Sequence, residues 1–317
     1  MINILDCNTF KKIEDVALLW NEEVGFIYPI TDLLFKHNII DCPYLSLGTS
    51  FVAVENEKVV GFILSKIWDG NKEIPTYINT GWISLFYVAR KYRNQGIGSL
   101  LLSNVETAMK KQGIKTIHIG RDVNNFFPGV PCDFDGLTPE FLEKRGYILG
   151  RRTHDLIRYH LNDVKEYVCK RDIRFATKED EKATMKFFLK NFPGRWYFDA
   201  CKNFKSGLYH QYLLAFQDGE VIGFMRMSTI EDSMWPYSLT WYQRFNNLGG
   251  LGPLGIDKDH RKQGIFDDMM KYGLFFFKKQ GIKEIMIDWT SLMALYQKYG
   301  FEVWKDYTYV SKNICNE

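Results

Sequence analysis

The chain has 317 residues, of which 46% are hydrophobic and 25% are charged, and these values are typical of a globular protein with two domains of ordinary size. The formal net charge of +3 is too small to predict nucleic-acid binding. No apolar run approaches the roughly 18 to 20 residues that a membrane-spanning helix needs, so we expect no membrane partner.

The cysteines predict neither disulfides nor a metal site. The six cysteines are scattered without a C-x-x-C pair, and neither they nor the six histidines show a metal-ligand spacing. We therefore expect no metal. The scattered cysteines, in a sequence that shows no secretory signal at its start, predict a reducing, cytoplasmic setting.

In the first half of the chain, two predicted helices precede a hairpin, and further strands and helices follow it. Apolar residues at helical spacing predict helices at residues 10–24, 32–40, 97–113 and 138–146. Runs rich in β-branched and aromatic residues predict strands at residues 50–55, 58–66, 82–88, 115–120 and 147–161. The stretch 121–137 is rich in Pro, Gly and aromatic residues, and it predicts an irregular loop.

The pattern breaks at residues 162–171, where the chain becomes charged, and the same order then begins again. The strands predicted after the break lie at residues 172–176, 212–216, 220–228, 248–256, 283–287 and 301–310. The helices predicted there lie at residues 178–191, 196–203, 264–280 and 291–299. We place the domain boundary inside the break, which gives an N-terminal domain of residues 1–165 and a C-terminal domain of residues 166–317.

Sequence matches indicate that the two halves are copies of one fold. The hexapeptide Lys-Lys-Gln-Gly-Ile-Lys occurs at residues 110–115 and again, letter for letter, at residues 278–283. At the same offset, Arg93-x-x-Gly96 recurs as Arg261-x-x-Gly264. Chance can give one such match but not several in the same order, so we infer an internal repeat.

The turn between the predicted strand and helix in the middle of the first copy has the chemistry of a phosphate site. The first amides of a helix are unpaired and lie at the positive end of the helix dipole. Gly96 and Gly98 let an anion approach the backbone closely, and Arg90, Lys91 and Arg93 add positive charge. The turn is neither a Walker loop nor a dinucleotide fingerprint, because Gly-Lys-Ser/Thr and G-x-G-x-x-G are both absent. We expect it to bind a diphosphate.

The pattern Arg-x-x-Gly-x-Gly directly after a strand resembles the pyrophosphate-binding motif of the GNAT acyltransferases, and a version of it occurs in each half. The resemblance implies an α+β fold of two tandem GNAT-like domains, each a mixed, mostly antiparallel sheet flanked by helices. It also implies acetyl-CoA as co-substrate, bound where the fourth and fifth strands separate. The implied activity is transfer of the acetyl group to a primary amine by direct attack, with a tyrosine that protonates the leaving CoA sulfur.

Carried onto the first copy, the resemblance implies a donor site with both glycines. The residues that it implies in binding acetyl-CoA are Phe86, Tyr87, Val88, Arg93, Asn94, Gln95, Gly96, Ile97, Gly98 and Ser99. The position of the family's tyrosine, however, holds Leu142, which cannot donate a proton. The second copy keeps that tyrosine as Tyr296, but Phe266 replaces the second glycine, where its ring would crowd a diphosphate or turn inward.

We expect the first copy to bind acetyl-CoA, because an open glycine backbone is harder to replace than a proton donor. Tyr296 is a candidate catalytic residue, and packing between layers is its alternative role. A general base must reach the substrate amine directly or through one water molecule. Asp122 is the leading candidate, ahead of His118, Asp133 and Asp135.

The loop at residues 122–133 interrupts the first copy where a substrate should enter. It is predicted either to shape the substrate site with an apolar wall, or to bury its aromatic residues against the other copy. The function favoured by these patterns is an N-acetyltransferase for a small-molecule amine, active as a monomer or a homodimer. Two alternatives stay open, namely catalysis in the second copy and an acyl-CoA-binding regulatory protein without turnover, since each copy lacks one family feature.

Overall fold

The fold was analysed in a computed structural model that describes residues 1–69, 74–134, 138–229, 232, 240 and 242–315. The strands of the first half are β1 (Asn3–Asp6), β2 (Phe51–Glu55), β3 (Lys58–Ile67), β4 (Thr80–Val88), β5 (Thr116–Ile119), β6 (Val130–Pro131) and β7 (Ile148–Tyr159). Its helices are α1 (Asp15–Val24), α2 (Asp32–Phe35), α3 (Ile97–Lys111) and α4 (Pro139–Glu143).

The second half repeats this arrangement. Its strands are β8 (Asp172–Phe175), β9 (Tyr212–Gln217), β10 (Glu220–Thr229), β11 (Leu248–Ile256), β12 (Glu284–Thr290) and β13 (Glu302–Asn313). Its helices are α5 (Glu181–Asn191), α6 (Arg195–Lys205), α7 (Ile265–Lys279) and α8 (Met293–Gln297). The predicted α+β class, with two copies of a mostly antiparallel sheet flanked by helices, is therefore confirmed.

The described strands form one continuous sheet because the two halves exchange their last strands. The order is β1-β2-β3-β4-β5-β13-β7-β12-β11-β10-β9-β8, and β6 pairs with β13 beside this path. The C-terminal strand β13 pairs antiparallel with β5 of the first half, with Val310 opposite Ile119. In return, β7 pairs with β12 of the second half, with Tyr159 opposite Glu284. The domain boundary at residues 165 and 166 stays a prediction, since strand pairing crosses it in both directions.

In each half, two parallel strands separate after a short pairing. β4 pairs with β5 over residues 80–83, and β11 pairs with β12 over residues 248–250. Just beyond these pairs, each central strand has a bulge against its other neighbour, at Ser84 in β4 and at Gly252-Pro253 in β11. A bulge adds a local bend and increases the twist, which helps to drive the strands apart. The result is a V-shaped gap in each half.

The central helix of each half starts beside its gap. Gly96 precedes α3 with φ 81° and Gly264 precedes α7 with φ 83°, values in the left-handed region that favour glycine. Both helices pack one apolar face on the sheet. The residues that α3 buries are Ile97, Leu101, Leu102, Val105 and Met109. Those that α7 buries are Ile265, Met269, Met270, Gly273, Leu274 and Phe277.

Candidate active site

The gap of the first copy is filled by the chain's own aromatic residues. Trp20 of α1 stacks on Phe134 with ring centroids 5.6 Å apart and contacts Phe127 with centroids 5.8 Å apart. These three rings help to line a cavity in the gap, whose volume is about 30 Å³. That is roughly the share of liquid volume that one water molecule occupies. Phe127 of the predicted loop at residues 122–133 therefore fills this gap together with Trp20 of α1 and Phe134, the residue after the loop.

The residues implied as the acetyl-CoA site lie together at the end of β4 and the start of α3, and several are engaged inside the chain. The guanidinium of Arg93 turns back onto the strand, donating from Nη2 to the Tyr87 hydroxyl at 2.7 Å and from Nε to the Val88 carbonyl at 3.0 Å. The Ser99 hydroxyl accepts a hydrogen bond from Arg145 Nη2 at 2.5 Å. These contacts stabilise the turn itself, and Arg261 Nε makes the corresponding hydrogen bond to the Ile256 carbonyl in the second turn, at 3.3 Å.

The remaining implied residues divide into buried and exposed ones. Phe86 is buried against Phe141, with ring centroids 6.0 Å apart, and a Cβ added at Gly98 would lie 3.4 Å from the Phe141 ring. Ile97 is buried in the core. Exposed residues of the turn are Asn94, Gln95 and Gly96. The turn thus has the predicted shape, but its role in binding acetyl-CoA stays a prediction.

A much larger cavity opens at the corresponding place in the second copy. Its volume is about 510 Å³, within the range of roughly 300 to 1,000 Å³ that is typical of small-molecule sites. Arg261, Lys262 and Gly264 of the second turn line it. A Cβ added at Gly264 would meet only Arg171 Nη2, at 3.9 Å. This open backbone, with three cationic side chains around it, fits the diphosphate of a coenzyme, and we call the space the donor cavity.

Phe266, at the position of the family's second glycine, does not displace the start of the helix. Helix α7 begins directly after Gly264, as α3 begins directly after Gly96. The Phe266 ring packs on Tyr296 and on Tyr299, with centroids 5.9 Å apart in each case. The ring therefore forms part of the wall of the donor cavity and leaves the cavity open.

Two carboxylates in the first turn of α7 oppose anion binding, and neighbouring groups compensate both. Asp267 accepts a hydrogen bond from the Tyr299 hydroxyl at 2.8 Å and forms an ion pair with Lys271 at 2.6 Å. Burial alone would raise the pKa of Asp267, but the hydrogen bonds from Lys271 and Tyr299 lower it. Asp268 forms an ion pair with Arg171 Nε at 2.5 Å. The partners thus offset the charge of both carboxylates, although Asp267 still lines the donor cavity beside Arg261 and Lys262.

A second cavity, of about 460 Å³, shares Leu254, Leu292 and Tyr296 with the donor cavity. We call it the acceptor cavity. Both halves of the chain and both exchanged strands build its walls. Lining residues include Tyr77, Asn125, Arg151, Arg195, Trp196, Asp199, Asp288, Trp289 and Tyr309. Because β7 supplies Arg151 and β13 supplies Tyr309, the strand exchange is what assembles this cavity.

Tyr296 of α8 stands where the two cavities meet. Its side chain is 7% exposed and lines both of them. Burial, with the Asp288 carboxylate as a second cause, raises the pKa of Tyr296 to about 12. The phenol is therefore protonated at neutral pH and can donate its proton.

Asp288 is a carboxylate of the acceptor cavity that the sequence analysis missed, since it considered bases of the first copy only. It lies on β12, and its Oδ1 atom is 3.8 Å from the position of a Cβ at Gly252, beside the bulge of β11. Its place near the end of the strand facing the gap is the signal that could have found it. Asp199 lines the same cavity and forms an ion pair with Arg195 at 2.6 Å.

Asp122, the leading candidate base, lies away from both cavities. Its side chain is fully buried, and its Oδ2 atom pairs with Lys66 Nζ at 2.5 Å and accepts a hydrogen bond from the Ser84 hydroxyl at 2.8 Å. Ser84 is the bulge residue of β4, so the bulge holds this buried ion pair in place. The catalytic role of Asp122 stays a prediction to which this geometry adds no support.

The other candidate bases of the first copy are also engaged or outside the described residues. Burial, followed by the charge of Arg121, lowers the pKa of His118 to about 4. Asp133 pairs with Lys305 and accepts a hydrogen bond from the Tyr28 hydroxyl. Asp135 lies outside the residues that the structure describes.

The repeated fold, in which two parallel strands separate beside a glycine turn, is the fold of the acetyltransferase class of enzymes. The model of the acetyltransferase (GNAT) family matches residues 16–127 and again residues 171–301. The chain therefore belongs to the GNAT family, as two tandem copies.

Solved structures resemble almost the whole chain. A fungal glucosamine N-acetyltransferase region from a multi-domain GH3 β-N-acetylglucosaminidase is 22% identical with a TM-score of 0.83, over 98% of this chain and 38% of that one. A tandem GNAT protein from the clavulanic acid pathway is 13% identical with a TM-score of 0.67, over 100% of both chains. A GNAT enzyme from Sphaerobacter thermophilus is 15% identical with a TM-score of 0.65, over 99% of this chain and 96% of that one. At these identities the likeness shows the fold alone.

A search of curated proteins gave no match. Within the described ranges, no group of three or more His, Cys, Asp or Glu side chains is arranged to hold a metal ion. In the same part of the chain, every helix is too short or too polar to cross a membrane.

Proposed function

We propose that the chain transfers the acetyl group of acetyl-CoA to the primary amine of a small molecule, and that the reaction takes place in the second copy. The observation that carries this proposal is the position of Tyr296 between a donor cavity of about 510 Å³ and an acceptor cavity of about 460 Å³. The first copy, which the sequence favoured, leaves about 30 Å³ in its gap. The proposal therefore adopts the alternative in which the second copy is catalytic.

The donor cavity offers the groups that acetyl-CoA needs. The unpaired amides at the start of α7, together with Arg261, Lys262 and Arg171, would hold the diphosphate. The edge of β11 beyond Gly250, where pairing with β12 ends, would face the pantetheine arm. Acetyl-CoA supplies a thioester carbonyl that an amine can attack.

Two side chains would carry the proton transfers. Asp288 lines the acceptor cavity beside the bulge of β11, where it would accept a proton from the incoming ammonium group, directly or through water. The neutral amine would then attack the acetyl carbonyl, and the adduct would break its carbon–sulfur bond as Tyr296, protonated at neutral pH, donates its proton to the sulfur. The nitrogen would lose its second proton to water as the amide forms, and the tyrosinate would take a proton back from water. Holding both reactants in adjoining cavities supplies the proximity that the reaction requires.

The acceptor cavity suits a small polar amine. The indole rings of Trp196 and Trp289 line it together with charged and amide side chains. Such a mixture of flat apolar faces and hydrogen-bonding groups is typical of sites for hydroxylated rings. A fungal structure of the same fold is named as a glucosamine N-acetyltransferase region, which supports an amino sugar as the acceptor here.

The cavity and the cysteines support proposals for the oligomeric state and for the cellular setting of the chain. One chain supplies both walls of the acceptor cavity, so we propose that a monomer contains the complete site and that a homodimer would contain it twice. All six cysteines are free thiols, which supports a reducing, cytoplasmic setting.

The first experiment compares Gly264→Glu with its matched control Gly96→Glu. Both glycines have φ near 80°, so the backbone strain of the two substitutions is similar. We expect Gly264→Glu to abolish acetyl-CoA binding, measured by calorimetry, because a carboxylate would occupy the diphosphate position. Gly96→Glu should leave binding within about twofold. The reverse result would place the donor site in the first copy and overturn the proposal.

The second experiment follows thiol release from acetyl-CoA with a panel of primary amines. Tyr296→Phe should lower kcat by about 100-fold, the usual contribution of a general acid, while the Kd of acetyl-CoA stays unchanged. Binding of acetyl-CoA without thiol release for any amine would favour the regulatory protein. The carboxylates in the first turn of α7 are the observation that keeps that candidate open.

A further inference from the structure

We propose that Asn125 of the first half recognises the acceptor, and that the acceptor is a polyhydroxylated amine. The inference deepens the proposed function and rests on it. It gives the first half a role in the reaction although its own gap is filled. The side-chain amide of Asn125 would donate a hydrogen bond to a hydroxyl oxygen of the acceptor.

The first observation behind this inference is the burial of the Asn125 side chain. Its side chain is 3% exposed and lines the acceptor cavity. In the part of the chain that the structure describes, its Nδ2 atom is buried without a hydrogen-bond partner. Buried amide donors in folded proteins nearly always have a partner. A buried donor without one, at the wall of a cavity, points to an oxygen atom of a ligand.

The backbone around Asn125 is held rigidly, so its amide occupies a fixed position. The ammonium group of Lys66 donates to the carbonyl of Val123 at 3.0 Å and to that of Asn124 at 2.8 Å. Asn38 Nδ2 donates to the Asn125 carbonyl at 3.2 Å. These bonds fix the backbone from which the Asn125 side chain reaches the wall of the cavity.

Helix α6 of the second half joins this segment to form one wall. Arg195 Nη1 donates to the carbonyl of Asp122 at 2.9 Å, and Lys202 Nζ donates to Asn124 Oδ1 at 3.1 Å. Trp196, the neighbour of Arg195, lines the same cavity. The wall therefore combines a flat aromatic face with the Asn125 amide donor.

The chemistry of the wall indicates the class of acceptor. A saturated ring that carries hydroxyl groups can lie on an indole face while its hydroxyls accept hydrogen bonds from amide and guanidinium groups. Arg151 lines the same cavity and adds such donors. A hydrocarbon amine of the same size would leave the Asn125 amide without a partner, which disfavours its binding. The cavity should therefore select hydroxylated amines over apolar ones.

The test uses the full chain with two amines of equal ring size, glucosamine and cyclohexylamine. The wild type should show the higher kcat/KM with glucosamine. In Asn125→Leu, which keeps the branched heavy-atom skeleton but removes the donor, the KM for glucosamine should rise about 10- to 100-fold. The KM for acetyl-CoA should stay within twofold, and the KM for cyclohexylamine should fall, because no amide donor is left without a partner.

Asn203→Leu is the matched control, because Asn203 is equally buried but donates to the Tyr212 hydroxyl, at 2.8 Å, outside the cavity. It should lower the melting temperature without changing the preference between the amines. A wild type without preference for glucosamine, or an unchanged preference in Asn125→Leu, would overturn the inference alone. Absence of thiol release with every amine would instead count against the proposed function.

Discussion

The ring of Phe266 packs against the ring of Tyr296, with 5.9 Å between their centroids. Phe266 occupies the place of the family's second glycine, so the substitution puts an aromatic ring against Tyr296, the proposed proton donor. The first copy has the reverse arrangement, because Gly98 is kept and the ring of Phe141 lies over it. In each copy, one aromatic ring thus lies at the start of the central helix. The ring comes from α4 in the first copy and from α7 itself in the second.

Phe266→Gly would restore the family motif, and we expect it to damage the protein. Loss of the half-buried ring and the low helix propensity of glycine should together lower the free energy of unfolding by about 1 to 3 kcal/mol. Because Tyr296 loses its neighbour, kcat should fall, while the Kd of acetyl-CoA should not decrease. Denaturant unfolding and calorimetry measure these effects, with Phe266→Leu as a control that keeps an apolar side chain. An acetyl-CoA affinity more than tenfold tighter in Phe266→Gly would show that the ring obstructs the donor.

Asp288→Asn tests the carboxylate beside the β11 bulge. We expect kcat/KM for the amine to fall about 100-fold near pH 7, since the ammonium group would lose its proton acceptor. Asp199→Asn is the matched control, because Asp199 lines the same cavity but is paired with Arg195. Steady-state kinetics with varied amine measures the difference. An Asp199 variant with the larger loss would assign the base to Asp199 instead.

The Tyr296 phenol predicts how stability changes at alkaline pH. Burial raises the pKa of Tyr296 to about 12 in the folded state, above the value of about 10 for an unfolded chain. The folded state therefore holds this proton more tightly, which gives a stabilisation that is complete below pH 10 and is lost as the pH rises from 10 to 12. Urea unfolding of the wild type and of Tyr296→Phe should show a constant difference below pH 10. Above pH 10 the free energy of unfolding of the wild type should fall by roughly 2 kcal/mol more than that of Tyr296→Phe. Parallel curves up to pH 12 would contradict this pKa.

The buried ion pair between Lys66 and Asp122 predicts a stability effect where the sequence suggested a catalytic one. Lys66→Met leaves an unpaired buried carboxylate and should cost about 3 to 5 kcal/mol, whereas Lys66→Met combined with Asp122→Leu should cost less. Thermal and denaturant unfolding measure both. If folded Asp122→Asn instead loses more than 100-fold in kcat at full stability, the base assignment of Asp122 is the correct one.

The repeat and its elements could be predicted from the sequence because local signals encode them. Apolar periodicity places α3 and α7, and Gly96 and Gly264 mark their starts. The strand β1 was missed, since four residues that include Asn3 and Asp6 show little alternation. Local patterns determine elements of this kind, and short edge strands carry the weakest of them.

The candidate site could be predicted only in part, because contacts distant in sequence decide which gap is open. Nothing local to Trp20 or Phe134 indicates that the two rings stack inside the first gap. The alternation in β7 and β13 predicts strands but does not name their partners. The acceptor cavity depends on those partners, since Arg151 and Tyr309 reach it only through the exchange. The glycine motif alone therefore pointed to the first copy.

The exchanged strands predict that neither half folds as an independent unit. A fragment of residues 1–165 would leave the edge of β5 without β13, and a fragment of residues 166–317 would leave β12 without β7. Unpaired edges of central strands promote aggregation, so we expect each fragment alone to be insoluble or to unfold without cooperativity. A protease site inserted after residue 165 gives the matched test, because after cleavage the paired strands should hold the two pieces together through size-exclusion chromatography. Pieces that separate into soluble, cooperatively unfolding domains would show that the boundary at residue 165 divides independent folds.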